Sequence, residues 1–114
     1  MVTPRGYVPD RGDLIWINFD PQTGREQAGR RPALVLSPAK YNGRVGLALL
    51  CPMTRQAKGY PFEVSVVSAG IEGVVLSDHM KSLDWNLRFA EFAGKAQASV
   101  VTLMLNNIAK LIGE

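Results

Sequence analysis

A chain of 114 residues with 46% hydrophobic content can bury one core and leaves too little for a second, so residues 1–114 read as a single domain. One cysteine, Cys51, excludes an internal disulfide, and one histidine, His79, excludes paired-histidine catalysis and most zinc sites. The formal net charge of +3 and a pI near 9.3 favour an anionic partner.

In chain order, Met1 to Asp13 is polar, carries Pro4, Pro9, Arg5 and Arg11, and holds no apolar targeting core. Asp13-Leu14-Ile15-Trp16-Ile17-Asn18-Phe19 is β-branched and aromatic between Arg11-Gly12 and Asp20-Pro21, and predicts a first strand apolar on both faces. Asp20 to Arg30, with Pro21, Gly24 and Gly29 and no apolar period, predicts a loop of about ten residues, a length at which loops often carry function. Arg31 to Ser37 predicts the second strand, Pro38 to Arg44 a hairpin turn centred on Asn42-Gly43, and Gly46 to Met53 the third strand.

Phe62 to Val67 alternates, with Phe62, Val64 and Val66 inward and Glu63 and Ser65 outward. Val74 to Asp78 and Leu87 to Phe92 predict two further short strands. Five or six short strands joined by turns imply a small barrel-like sheet. From Ser99, Val101, Leu105, Ile108 and Ile112 follow helical spacing, with Ser99 as a cap and Lys110 and Gly113 suited to the end. The longest nearly apolar run, Val45 to Met53, is shorter than the ~18 residues of a membrane span. The protein is therefore expected to be soluble and cytoplasmic. Cys51, inside that run, reads as a packing thiol.

Charge concentrates between Arg25 and Lys58: Arg25, Arg30, Arg31, Lys40, Arg44, Arg55 and Lys58 face one acid, Glu26. That is the footprint of a polyanion-binding surface. A turn at Asn42-Gly43 pairs residues whose numbers sum to about 85, which sets Arg31 opposite Thr54 on one face, Cβ atoms ~5 Å apart. An arginine, a threonine hydroxyl and a lone glutamate at one hairpin end suit phosphoryl transfer with an internal nucleophile, as in RNA self-cleavage. Glu26 would accept the 2′-OH proton, Arg31 would stabilise charge and relay a proton, and Thr54 would bond a non-bridging oxygen. DNA lacks the 2′-OH and would be spared.

Plainer readings stand beside this one. Glu26 also reads as half of a surface salt bridge with Arg30, Arg31 as an ion-pair anchor, Thr54 as a turn hydroxyl, and His79 as a solvated imidazole after Asp78. Trp16 and Phe19 read first as core or interface, Phe19 at the loop mouth being the better base-stacking candidate. The charges from Arg55 to Lys58 also suit a solvated loop.

Tyr7-Val8-Pro9-Asp10, Gly12-Asp13-Leu14-Ile15-Trp16, Phe19-Asp20-Pro21, Glu26-Gln27-Ala28-Gly29, Arg31-Pro32-Ala33 and Val35-Leu36-Ser37-Pro38 resemble the MazF/PemK toxins of bacterial toxin–antitoxin systems. Tyr41-Asn42, Pro52, Thr54, Lys58-Gly59-Tyr60-Pro61-Phe62-Glu63-Val64, Lys81-Ser82 and the helix ending Leu111-Ile112-Gly113 continue the resemblance. It implies a mainly β fold with a C-terminal α-helix, an SH3-like barrel of the CcdB/PemK type, assembled as a homodimer. It implies a ribosome-independent, metal-independent endoribonuclease that needs no cofactor. Such an enzyme cuts single-stranded RNA at short, ACA-containing motifs and leaves a 2′,3′-cyclic phosphate and a 5′-OH.

The family's functional arginine, threonine and loop glutamate fall on Arg31, Thr54 and Glu26. Candidate RNA contacts are Phe19, Arg25, Gln27 and Arg30 on the first side, and Arg55, Gln56, Lys58, His79 and Lys81 on the second. A MazE-like antitoxin would lay an acidic tail over the same groove. Arg30, Arg55 and His79 depart from the histidine, threonine and glutamine of close family members, which bears on base preference. Two alternatives keep the fold: a non-catalytic CcdB-like toxin that binds a protein target, and an RNA-binding SH3-like module without turnover.

Overall fold

The structure is a computed structural model, described for residues 6–19 and 29–113. Its described elements are β1 (Asp13–Asn18), β2 (Arg30–Val35), α1 (Ala39–Val45), β3 (Leu47–Thr54), β4 (Glu63–Ser68), β5 (Ile71–Leu76), β6 (Lys81–Asp84), β7 (Glu91–Lys95) and α2 (Ala98–Ile112). The strands form one antiparallel sheet in the order β4-β5-β3-β2-β1-β7, with β6 also on β3. The result is a mainly β half-barrel closed by a C-terminal helix.

β1 contributes side chains to the core from both of its faces, with Trp16 left exposed. Leu14 joins a cluster with Leu34, Cys51, Met53, Val64, Val66 and Val75, roofed by Met104 and Ile108 of α2. Ile15 and Ile17, on the opposite face, join Phe19, Ala33, Val35, Ala48 and Leu50. Each such side chain taken fully from water contributes about 1.5–3 kcal/mol, so two clusters sharing one sheet supply most of the drive to fold. Val64 and Val66 point inward and Ser65 outward, as their alternation predicts.

The connection between β2 and β3 departs from the expected hairpin turn: Pro38 to Arg44 does not turn at Asn42-Gly43 but winds into α1. Pro38 occupies the N-cap position, and the Asp10 carboxylate, from a distant segment, accepts the free Ala39 N–H at 2.8 Å. Gly46, at φ +83°, ends the helix in the left-handed conformation that glycine adopts without penalty. Asn42 is completely buried, its amide donating to the carbonyls of Pro9 (2.7 Å) and Ser37 (2.9 Å) while its side-chain oxygen accepts from the Ser37 hydroxyl. A side chain with three buried hydrogen bonds cannot serve as a solvent-facing turn. The β2–β3 register survives this change: Ala33 pairs with Pro52, Leu34 with Cys51 and Val35 with Leu50.

Three further expectations are corrected. Residues 85–89 are turns where Leu87 to Phe92 suggests a strand; β6 precedes them and β7 follows. α2 starts at Ala98 with Gln97 at its N-cap, so Ser99 lies inside the helix and makes no cap. The buried stripe of α2 is Met104, Asn107 and Ile108, whereas Leu105 and Ile112 of the expected stripe face outward. The amide of Asn107 reaches the Ser77 hydroxyl, which a hydropathy pattern does not anticipate.

Candidate functional site

β3 changes neighbour along its length, and that change makes the site. Leu47 to Leu50 pair with β6 along one edge, while Met53 and Thr54 pair with Val75 and Val74 of β5 along it. On the other edge the ladder with β2 ends at Ala33–Pro52. Continuing that register two residues sets Arg31 across from Thr54, on the same face, where β2 and β3 part. A groove of about 760 Å³ opens there. Its lining includes Trp16, Arg30, Arg31 and Pro32 from β1 and β2, Met53 and Thr54 from β3, Arg55, Gln56, Lys58 and Tyr60 after it, and Glu63, Glu72 and His79.

Thr54 is half-buried, and its Oγ1 accepts the Gln56 N–H at 3.2 Å. Accepting that bond leaves the hydroxyl proton available to donate, so the turn-hydroxyl reading and the donor reading are compatible. The following loop is held from behind by Glu63, whose carboxylate accepts the N–H groups of Lys58 and Gly59, both at 2.8 Å. The Tyr60 hydroxyl donates to Asp78 at 2.9 Å and fastens the same loop to the β5–β6 turn. Burial, and then that bond to Asp78, pushes the Tyr60 phenol up to about 12. His79 Nε2 lies 3.9 Å from the same Asp78 carboxylate.

Several expected contacts are placed differently. Phe19 is only 3% exposed and packs in the core, so it offers no stacking face; Trp16, at 37% exposed and lining the groove, does. Phe19 N–H donates to the Gly29 carbonyl at 2.9 Å. Arg30 faces the groove but its guanidinium is engaged: it pairs with Glu91 and donates to the Phe89 carbonyl at 2.8 Å and to Asn18 at 3.2 Å. Lys81 sits on β6 opposite Leu50, four residues along β3 from Thr54, and does not line the groove. Arg25, Glu26 and Gln27 lie outside the described residues. Arg31, Thr54, Arg55, Gln56, Lys58 and His79 do converge.

Tyr60 and Glu63 were not singled out from sequence, although their place in the Lys58-to-Val64 motif was a signal. The Cys51 thiol is buried and pushed up to about 12, chiefly by loss of solvent, which leaves it inert beside this chemistry. Among the described residues no grouping of three or more His, Cys, Asp or Glu side chains is placed to hold a metal ion. Nor is any helix among them long and apolar enough to cross a membrane.

A half-barrel whose sheet edge opens into a groove gathers Arg30, Arg31, Arg55, Lys58 and the Thr54 hydroxyl at one place. Residues 10–112 match the family described as PemK-like, MazF-like toxin of type II toxin–antitoxin system, and the chain belongs to that family. It is 50% identical over 107 residues to the endoribonuclease toxin MazF of Escherichia coli K12, covering 94% of this chain and 96% of that one. The crystal structure of MazF from Deinococcus radiodurans superimposes with a TM-score of 0.91 at 55% identity, covering 95% of this chain and 99% of that chain. A chain from a MazE–MazF structure of the same organism matches with a TM-score of 0.83 at 51% identity, over 94% and 97% of the two chains.

Proposed function

We propose that this chain is a sequence-specific, ribosome-independent endoribonuclease toxin that cuts single-stranded RNA without a metal ion. The observation carrying this reading is the placing of Arg31 and Thr54 in one basic groove at the end of the β2–β3 ribbon. Its similarity to proteins named as endoribonucleases supports the same reading.

In the proposed reaction the substrate's 2′-oxygen forms a bond to the adjacent phosphorus as the bond from phosphorus to the 5′-oxygen breaks. The 2′-OH proton passes to Glu26, with Arg31 as relay, and the departing 5′-oxygen takes up a proton from solvent water. The products are a 2′,3′-cyclic phosphate and a 5′-OH. Charge on the phosphorane oxygens is met by the Arg31 fork and the Thr54 hydroxyl, already oriented by Gln56 N–H. Arg55, Gln56 and Lys58 hold flanking nucleotides, and Trp16 takes the stacking role expected of Phe19. An ACA-containing cut site belongs to the same reading.

So do a cytoplasmic setting, an acidic MazE-like antitoxin laid over the groove, and a homodimer. The matched MazE–MazF structures support the antitoxin. Leu105, Leu111 and Ile112, uncovered on α2, supply apolar surface for a second copy.

Incubating the purified protein with a long RNA in EDTA tests the proposal: discrete cuts ending in cyclic phosphate are expected. A 2′-deoxy substitution at the cut nucleotide should abolish cleavage there. RNA bound but left intact would favour a module without turnover, and no RNA binding at all would favour a protein-targeting toxin. Arg31→Ala should lower the rate by about 10²–10³ while the protein stays folded, and Thr54→Val should lower it by at least tenfold. The pH–rate profile of Glu26→Gln, compared with the parent's, decides whether that carboxylate is the base.

A further inference from the structure

We infer that Gly73 is a positioning residue for Thr54, kept without a side chain so that the end of β3 can lie close enough to β5 to aim the threonine into the groove. Gly73 has no positive φ, so backbone freedom is not what it supplies. It lies in β5 opposite Val66 of β4, beside the Thr54–Val74 pair that ends the β3–β5 ladder. A Cβ added there would lie 2.5 Å from the Thr54 carbonyl oxygen, 3.2 Å from its carbonyl carbon and 3.7 Å from the Arg55 Cα. These are backbone atoms, which cannot rotate away as the tip of a flexible side chain would.

Restoring ordinary contact, which begins at 3.4 Å, requires the Thr54 carbonyl to retreat by about 0.9 Å from its 2.5 Å approach. That carbonyl belongs to the same residue as the hydroxyl, and the 3.2 Å bond from Gln56 N–H, one peptide further on, holds the hydroxyl against the start of the loop. A shift at position 73 is therefore passed to the Thr54 hydroxyl. Misplacing a reacting group by ~1 Å costs on the order of 10²-fold in rate. The inference rests on the nuclease reading of Thr54 and adds to it a residue that never touches RNA.

Gly94 supplies a matched control. A Cβ there would also approach to 2.5 Å, in this case on the Ala69 Cβ, and Gly94 does not line the groove. The experiment measures kcat and KM for RNA cleavage in the parent, Gly73→Ala, Gly94→Ala, Thr54→Val and the double variant Gly73→Ala/Thr54→Val, with folding checked by circular dichroism. The expected result is a fall in kcat of about 10²-fold for Gly73→Ala with KM changed far less, and parental kcat for folded Gly94→Ala. Adding Gly73→Ala to Thr54→Val should lower the rate no further, because one residue acts through the other.

Additive losses, or an unchanged kcat in Gly73→Ala, would overturn the inference. So would failure of Gly73→Ala to fold even in a stabilising osmolyte, since the glycine would then serve the barrel and not the site. A parental rate in Thr54→Val alone is a separate failure: it removes the nuclease role of the hydroxyl before Gly73 is touched, and the inference falls with it.

Discussion

The salt dependence of RNA binding tests the division of labour among the groove arginines. Arg31, Arg55 and Lys58 line the groove, whereas Arg30 spends its guanidinium on Glu91, Asn18 and the Phe89 carbonyl. Glu63 also lines the groove, but its carboxylate is occupied by the Lys58 and Gly59 amides. If each of the three lining cations neutralises one phosphate, the slope of log K against log salt is about −2, from ~0.7 per contact on a single strand. Raising salt from 50 to 200 mM should then weaken binding about twentyfold. Arg55→Ala should flatten the slope to about −1.4, and Arg30→Ala should leave it unchanged. The measurement is fluorescence anisotropy of a labelled RNA oligomer against salt, with a 2′-deoxy substitution at the cut nucleotide so that the oligomer survives. A slope flattened as much by Arg30→Ala as by Arg55→Ala would refute the assignment of Arg30 to a structural ion pair.

Three other outcomes are expected. Asn42→Ala strips donors from the buried Pro9 and Ser37 carbonyls and should cost about 2–4 kcal/mol, lowering Tm by roughly 8–16 °C in a thermal melt. A shift of a degree or two would contradict its role as the staple of α1. Tyr60 has a folded-state pKa raised from 10.0 to about 12, so its contribution is complete below pH 10 and lost as pH rises through 12. Urea midpoints of the parent and Tyr60→Phe should therefore converge above pH 10, and a constant gap would refute the Asp78 bond. Cys51, buried and pushed up to about 12, should resist a thiol-specific reagent at pH 8 until the protein is unfolded; rapid labelling of the folded protein would show that the core opens.

Most strands were legible because alternation and β-branched runs report local preference directly. β1 and β4 lie within a residue or two of where their patterns put them. β6 was missed because Lys81-Ser82-Leu83-Asp84 has no apolar alternation of its own; it is a strand because the edge of β3 supplies its partners. The apolar face of α2 was recognised but rotated, since Leu105 and Met104 are both apolar and adjacent, and only the cluster beneath decides which one turns in.

The β2–β3 register is the instructive case. The expected turn was wrong, yet the pairing it implied is the observed one, because the apolar faces of both strands tolerate no one-residue slip. By itself, the order of residues determined a mainly β chain, a basic central segment and the register of the β2–β3 pairing, all consequences of local periodicity and charge. Only the folded chain decided that Phe19 is core and Trp16 is groove, that Arg30 is engaged by Glu91, and that Gly73 must stay bare beneath the Thr54 carbonyl. Those outcomes depend on which distant segments come to lie within a few ångströms of each other, and no short-range pattern carries that information.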